Sequence, residues 1–151
     1  MHKTIISDTS CFIILSKIGE LALLRTVYGR IITTPEIVEE YGEKLPEWVE
    51  IRSVSDRHTS RILEMQLDKG ESSAIALAIE TPGSTLILDD HKARRIAERL
   101  GLAYTGTIGV IIKAKLDGHV DSIKPLLSRI KETDFRISAD IELQALKEAR
   151  E

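Results

Sequence analysis

Short apolar runs alternate along the chain with longer segments whose apolar residues recur at helical spacing. The continuous runs predict strands over residues 4–7, 30–33, 85–88 and 102–105, and an alternating run predicts an edge strand over 49–54. The other segments predict helices over 11–18, 21–28, 35–41, 57–67, 71–79, 92–100, 107–116, 122–131 and 139–149. Strands alternating with helices are typical of a parallel sheet covered on both faces. We therefore expect an α/β fold, a three-layer α/β/α sandwich around a central, mainly parallel sheet.

Composition narrows the class of protein. The 151 residues contain no internal repeat and no Gly/Ser/Pro-rich linker, so we expect one domain over residues 1–151. No apolar run approaches the ~18 residues of a membrane span, and no signal-peptide cleavage site is evident, so we predict no membrane contact. The single cysteine, Cys11, excludes an internal disulfide framework and a cysteine-based zinc site, and it fits the cytoplasm. The net charge of −3 argues against a protein that coats nucleic acid through its overall field.

Aspartates follow two of the predicted strands, where ligands bind in parallel sheets. Asp8 follows the first strand, and Asp89 and Asp90 follow the strand at 85–88. One such aspartate is most simply explained as the N-cap of the next helix. An adjacent pair of aspartates indicates a role beyond capping, because one helix needs one cap and adjacent carboxylates repel each other. If these carboxylates meet at one sheet edge, a hard divalent cation is the usual way to neutralise them.

Two glutamates are candidates for the same cluster. Glu40 lies near the C-terminal end of its predicted helix, where the helix dipole disfavours an anion. Glu71 begins a helix that is otherwise small and apolar. Each has an ordinary alternative, a solvated side chain for Glu40 and a favourable first-turn charge for Glu71. The acids are therefore informative only as a set.

Two other classes with acids at strand ends match the pattern less well. A receiver-type phosphoacceptor domain would need an acid pair after the first strand and a single aspartate after the third, which is the reverse of the order here. A haloacid-dehalogenase-like phosphatase would need a second carboxylate at position 10, where this chain has Ser10.

Four segments together resemble a PIN domain, a family of metal-dependent ribonucleases that includes toxins of prokaryotic toxin–antitoxin pairs. They are IISDTS (5–10), PEIVEE (35–40), GESSAIALA (70–78) and LILDD (86–90). The sequence is most similar to a stand-alone prokaryotic branch with Asp-Asp-x-x-Ala-Arg followed by Thr-Gly-Thr, here DDHKAR (89–94) and TGT (105–107). The resemblance covers nearly the whole chain and implies five strands with the first one central.

The resemblance also implies the site residues. The catalytic acids of the family fall on Asp8, Glu40, Glu71 and Asp90, and Asp89 joins them as a metal ligand. Glu71 stands where many relatives have aspartate, and Leu88 stands where the toxins usually carry threonine. Carboxylates suit Mg²⁺ or Mn²⁺, which would act on the scissile phosphate without a protein nucleophile.

Polar and basic neighbours are predicted to support this site. Ser10 and Thr107 are candidates to hydrogen-bond a ligand carboxylate or the phosphate, although for Thr107 we favour a cap of its own helix. Basic residues after the aspartate pair are candidates to hold RNA phosphates: Lys92, Arg94 and Arg95.

The expected function is metal-dependent hydrolysis of RNA, with a toxin of a toxin–antitoxin pair as its biological setting. The expected partners are an RNA substrate, an antitoxin protein and a second copy of the chain, with apolar faces between Cys11 and Leu24 as material for the homodimer. The alternative is a PIN-like module that has lost catalysis and binds RNA or protein.

Overall fold

The fold is built on a five-stranded sheet whose strands are all parallel. The computed structural model describes residues 3–151, and within them the strands run in the order β3-β2-β1-β4-β5. Their bounds are β1 Thr4–Ser7, β2 Arg30–Thr33, β3 Val49–Ile51, β4 Ser84–Ile87 and β5 Ala103–Thr105. The expected sandwich with its first strand central is confirmed.

Helices connect and cover the strands. Their bounds within the described residues are α1 Thr9–Lys17, α2 Leu23–Tyr28, α3 Pro35–Tyr41, α4 Arg57–Leu63, α5 Lys69–Glu80, α6 His91–Arg99, α7 Thr107–Leu116, α8 Lys124–Lys131 and α9 Ala139–Glu148. Helices α3, α4 and α5 form one packed group, and α2, α7 and α9 form another, while α1 touches both α3 and α7. None of the helices in residues 3–151 has the length and apolar character to cross a membrane.

The register of the sheet shows which residues meet at the carboxyl ends of its strands. Ile6 lies between Ile32 of β2 and Leu86 of β4, and both Ile5 and Ile6 are fully buried. Strands buried on both faces need apolar side chains at every position, which is why these runs are continuous. Ser7 pairs with Ile87, so β1 and β4 end side by side. The residues that follow these strands are therefore neighbours in space.

The two largest differences from the predicted bounds concern α4 and β3. Helix α4 ends at Leu63 rather than at residue 67, since residues 64–67 form turns, and Asp68 then takes an extended backbone and caps α5. Strand β3 pairs with β2 only over Val49–Ile51. Beyond it, Glu80 accepts hydrogen bonds from the backbone N–H groups of Ser55 and Asp56 and holds the chain in a loop.

Most of the apolar residues expected to supply a dimer face lie inside the molecule. Cys11, Phe12, Leu15 and Leu24 are fully buried in the core of the chain itself, so these four are not available to a second copy. Ile13 and Leu21 in the same stretch are partly exposed, and the homodimer stays a prediction. The large apolar side chains that are most exposed in the described part of the chain lie elsewhere, at Ile62, Met65 and Leu143.

Candidate functional site

Acidic side chains converge at the carboxyl edge of the sheet. A cavity of about 330 Å³, which we call the acid cavity, is lined by Asp8, Thr9, Ser10, Glu40, Asp68, Glu71, Asp89 and Asp90. The structure thus brings together all five acids predicted from the sequence, with Ser10 beside them. Lysine and arginine are absent from this lining, so the protein itself does not neutralise the charge.

Asp8 ties the ends of β1 and β4 together. It is the N-cap of α1, and its Oδ1 accepts the N–H of Cys11 at 2.9 Å. Its Oδ2 accepts the N–H of Asp89 at 3.0 Å. The side chain is only 5% exposed, and this burial, with the charges of Asp89 and Glu71, raises the pKa of Asp8 well above its ordinary value. A buried anion in this position gains strongly from a cation.

The aspartate pair caps two different helices. Asp90 is the N-cap of α6, and its Oδ2 accepts the N–H of Ala93 at 2.9 Å. Asp89 accepts the N–H of Thr107 at 2.9 Å and thereby caps α7, whose N-cap residue is Gly106. The expectation that only one of the pair would be needed as a cap is therefore wrong. The convergence of both side chains on the acid cavity, rather than their pairing, supports a shared site.

Thr107 supports Asp89 directly. It is the first residue of α7 and not its N-cap, so the cap that we favoured from the sequence is wrong. Its hydroxyl instead donates to Oδ2 of Asp89 at 2.6 Å, as expected for the alternative role of holding a ligand carboxylate. Thr107 is fully buried, which fixes this hydrogen bond.

Arg94 binds the backbone just after β4 and does not line the acid cavity. Its Nε donates to the carbonyl of Leu88 at 2.6 Å, and its guanidinium carbon lies 5.8 Å from the centre of the Tyr104 ring. A Cβ at Gly106 would overlap its Nη2 atom, so this approach needs glycine. The expected role of Arg94 as a phosphate contact is not supported. Lys92 and Arg95 are exposed on α6, and neither lines the acid cavity.

Glu40 reaches the cavity from α3 because α5 carries a glycine opposite it. A Cβ at Gly70 would lie 2.5 Å from Oε2 of Glu40, so any larger residue would displace that carboxylate. Burial and the charge of Asp68 raise the pKa of Glu40. Its neighbour Glu39 lines a separate cleft, which agrees with the choice of Glu40 from the sequence.

Asp68 is the acid that the sequence interpretation missed. It caps α5 by accepting the N–H of Glu71 at 2.8 Å, and it lines the acid cavity. An acid three residues before a glutamate at a helix start is the capping-box pattern, and this signal could have identified it. Burial, followed by the charges of Asp68 and Asp90, raises the pKa of Glu71 to about 7.

Cys11 lies close to the acids but is not a candidate nucleophile. It is fully buried, and burial together with the charge of Asp8 raises the pKa of its thiol well above the ordinary value. The thiolate is the reactive form, so the group is inert at neutral pH.

The donor set fits a hard divalent cation. The side chains that line the acid cavity offer only carboxylate and hydroxyl oxygens, the ligands preferred by Mg²⁺ and Mn²⁺. Burial first, and then the charges of neighbouring acids, raise the pKa values of Asp8, Glu40 and Glu71, so a cation would stabilise their charged forms. Among residues 3–151, however, no three Asp, Glu, His or Cys side chains already stand as the ligands of one metal ion. Binding would therefore require some of these side chains to adjust.

Comparison with known proteins agrees with the fold and with the place of the acids. No curated protein matches the chain. The family model DUF3368, described as a PIN domain, matches residues 4–151 and so covers every strand and every acid of the cavity. The chain is a member of the PIN domain family, whose proteins are generally nucleases.

Proposed function

We propose that the chain is a metal-dependent endoribonuclease that hydrolyses RNA phosphodiester bonds at the acid cavity, with Mg²⁺ or Mn²⁺ as its cofactor. The convergence of six carboxylates on one cavity without a balancing lysine or arginine carries this proposal. PIN nucleases typically use divalent metals, which agrees with the donor set.

The residues of the chain have distinct parts in this proposal. Asp8, Glu40, Glu71 and Asp90 would hold the cation, which supplies Lewis-acid charge at the scissile phosphate. Asp8 and Asp89 are oriented by backbone N–H groups and by the Thr107 hydroxyl, so their oxygens have fixed directions. Supporting hydrogen bonds of this kind typically decide metal affinity as much as the ligands do.

A second candidate function is a PIN-like module that binds RNA or protein without cleaving it. It is favoured by the lack, in the described part of the chain, of a ready-made group of three metal ligands. The role of a toxin, the antitoxin partner, the homodimer and the cytoplasmic location rest on the resemblance alone and stay predictions.

RNA cleavage in the presence and absence of metal separates the two candidates. We expect the protein to cleave a labelled single-stranded RNA in Mn²⁺ or Mg²⁺ and to stop when a chelator is added. Asp90→Asn should lower the rate at least as much as Asp89→Asn, because both oxygens of Asp89 are engaged by Thr107.

Asp56→Asn is the matched control, since Asp56 caps α4 outside the acid cavity and Asn is an equally good N-cap. It should cleave at the wild-type rate. RNA binding without chelator-sensitive cleavage would contradict the nuclease and support the module.

A further inference from the structure

A groove continues from the acid cavity along α1. It has a volume of about 430 Å³ and shares Thr9, Ser10 and Glu40 with the acid cavity. Its other walls come from α1 and from the loop between α8 and α9: Ile13, Ile14, Lys17, Thr133, Asp134 and Phe135. A ligand bound at the acids would therefore extend directly into this groove.

A third cavity continues the groove towards α8. It has a volume of about 420 Å³, shares Lys17, Thr133 and Asp134 with the groove, and adds Arg129 and Glu132. We call the groove and this cavity together the α1 trough. The trough thus leads from the carboxylates of the acid cavity to a mixed set of charges, in which Lys17 and Arg129 lie with Glu132 and Asp134.

The side chains of the α1 trough suit a nucleotide. Phe135 is an aromatic residue that lines a cavity continuous with the acids, and it is partly exposed. The loop that carries it is held by the Thr133 hydroxyl, which donates to the Ile130 carbonyl at 2.6 Å and accepts the N–H of Phe135 at 3.1 Å. An aromatic side chain and a cation, Lys17, thus line the same groove, and proteins use such a combination to stack a base and contact its phosphate.

The ion pairs of the trough leave Lys17 available. Lys17 lies 3.8 Å from Asp134, and both side chains are at least half exposed, so this pair contributes little stability. Arg129 is held more firmly, since its Nη1 donates to the Ile18 carbonyl at 2.7 Å and its Nη2 lies 3.8 Å from Glu20. A phosphate can replace Asp134 as the partner of Lys17 without breaking a buried contact.

We propose that the α1 trough binds the single-stranded RNA that flanks the scissile phosphate, with one unpaired base on Phe135 and the adjoining phosphate at Lys17. This inference rests on the proposed function and specifies which surface beside the acid cavity receives the flanking nucleotide. A base inside a duplex is stacked between its neighbours and cannot offer its face to Phe135.

Fluorescence anisotropy of a short labelled single-stranded RNA tests the inference without catalysis. Binding is measured at low ionic strength with a chelator present, for the wild type and for substitutions along the trough. Phe135→Leu, which keeps an apolar side chain but removes the ring, should weaken binding by about five-fold or more. Lys17→Gln should weaken it and lower the slope of log Kd against log salt by about 0.7, as for one lost phosphate contact on a single strand.

Two further substitutions, one expected to tighten RNA binding and one expected to leave it unchanged, make the test specific. Asp134→Asn removes an anion beside Lys17 and should tighten binding by about two- to five-fold. Lys147→Gln, which removes an exposed cation on α9 that lines neither the acid cavity nor the trough, should bind as the wild type does. A duplex of the same sequence should bind more weakly than the single strand.

The failure of this inference differs from failure of the proposed function. Wild-type binding by both Phe135→Leu and Lys17→Gln, or equal binding of duplex and single strand, would overturn the trough even if the protein cleaves RNA. Lack of cleavage with the expected binding changes would overturn the nuclease and leave the trough intact.

Discussion

The two halves of the acid cavity are built differently. On the sheet side, Asp8, Asp89 and Asp90 follow strand ends, and their carboxylates accept hydrogen bonds of 2.6–3.0 Å from three other residues and from the backbone N–H of Asp89. On the helix side, the Thr9 hydroxyl lowers the pKa of Glu40 and the backbone N–H of Asp68 lowers the pKa of Glu71. Burial raises both pKa values by more than these groups lower them.

This difference separates two sets of metal ligands. We call the sheet-side acids, Asp8, Asp89 and Asp90, the fixed half and the helix-side glutamates, Glu40 and Glu71, the adjustable half. Backbone N–H groups and helix starts hold the sheet-side oxygens in one geometry, so they are preorganised before any cation arrives. The helix-side glutamates have longer side chains and fewer hydrogen bonds, so they can adjust to a cation. Their pKa values are raised, as is that of Asp8 on the sheet side, and all three gain when a cation neutralises them. We infer that the sheet side sets the position of a metal, and that Asp8 together with the helix-side glutamates sets its dependence on pH.

The largest effect is expected from Asp8→Asn, which breaks the fixed half. Asp8 joins α1 to Asp89, which lies two residues beyond the end of β4, so its loss removes both a ligand and this link. Supporting residues of metal sites typically contribute 10- to 100-fold, so we expect cleavage to fall by at least about 100-fold.

The stability of Asp8→Asn should change little, which chemical denaturation will show. The substitution relieves a buried charge but turns an amide donor towards the Asp89 N–H, and these effects oppose each other. An unfolded variant would leave the lost activity uninformative. A folded variant with wild-type cleavage would contradict the assignment of Asp8.

A smaller effect is expected from Thr107→Val, which weakens the fixed half without removing a carboxylate. The hydroxyl bond to Asp89 is lost, while the backbone bond from the same residue is kept. We expect metal affinity, measured by titration calorimetry, to fall by about 10-fold. Thr26→Val, at an exposed position of α2, removes the hydroxyl bond to the Ala22 carbonyl; it is the matched control and should bind metal normally.

The two halves also differ in how well the sequence predicts them. Continuous runs such as Thr4–Ser7 identify the strands, and the strand-end rule then brings Asp8 and Asp90 together without further information. Glu40 and Glu71 needed the family resemblance, because each alone fits an ordinary solvated or dipole-stabilising role.

Tertiary contacts explain what the sequence interpretation missed. Arg94 has the spacing of a surface cation on α6, yet it turns back to the Leu88 carbonyl and the Tyr104 ring. Asp68 enters the acid cavity because α5 begins at Lys69 rather than at Glu71. The direction of a side chain and the exact start of a helix depend on neighbours distant in sequence, so local patterns do not determine them.

The smallest effect is expected in the pH dependence of stability, which reports the titration of Glu71 in the adjustable half. The pKa of Glu71 is about 7 in the folded protein against an ordinary 4.5, so the folded state holds a proton that the unfolded state releases between these values. The free energy of unfolding of the metal-free protein should therefore fall as pH rises from about 4.5 to 7. After discounting for the partial exposure of Glu71, we expect a loss of about 1 kcal/mol, or roughly 2–4 °C in Tm.

Glu71→Gln isolates this contribution, because glutamine cannot titrate. Its Tm should fall less than that of the wild type over the same pH range, with the remaining decline due to Asp8 and Glu40, whose pKa values are also raised. Mg²⁺ should flatten the wild-type profile, since it stabilises the charged form. Glu39→Gln, on the same helix as Glu40 but outside the acid cavity, should keep the wild-type profile. If Glu71→Gln keeps that profile as well, Glu71 does not share its charge with the cavity, and the adjustable half reduces to Glu40.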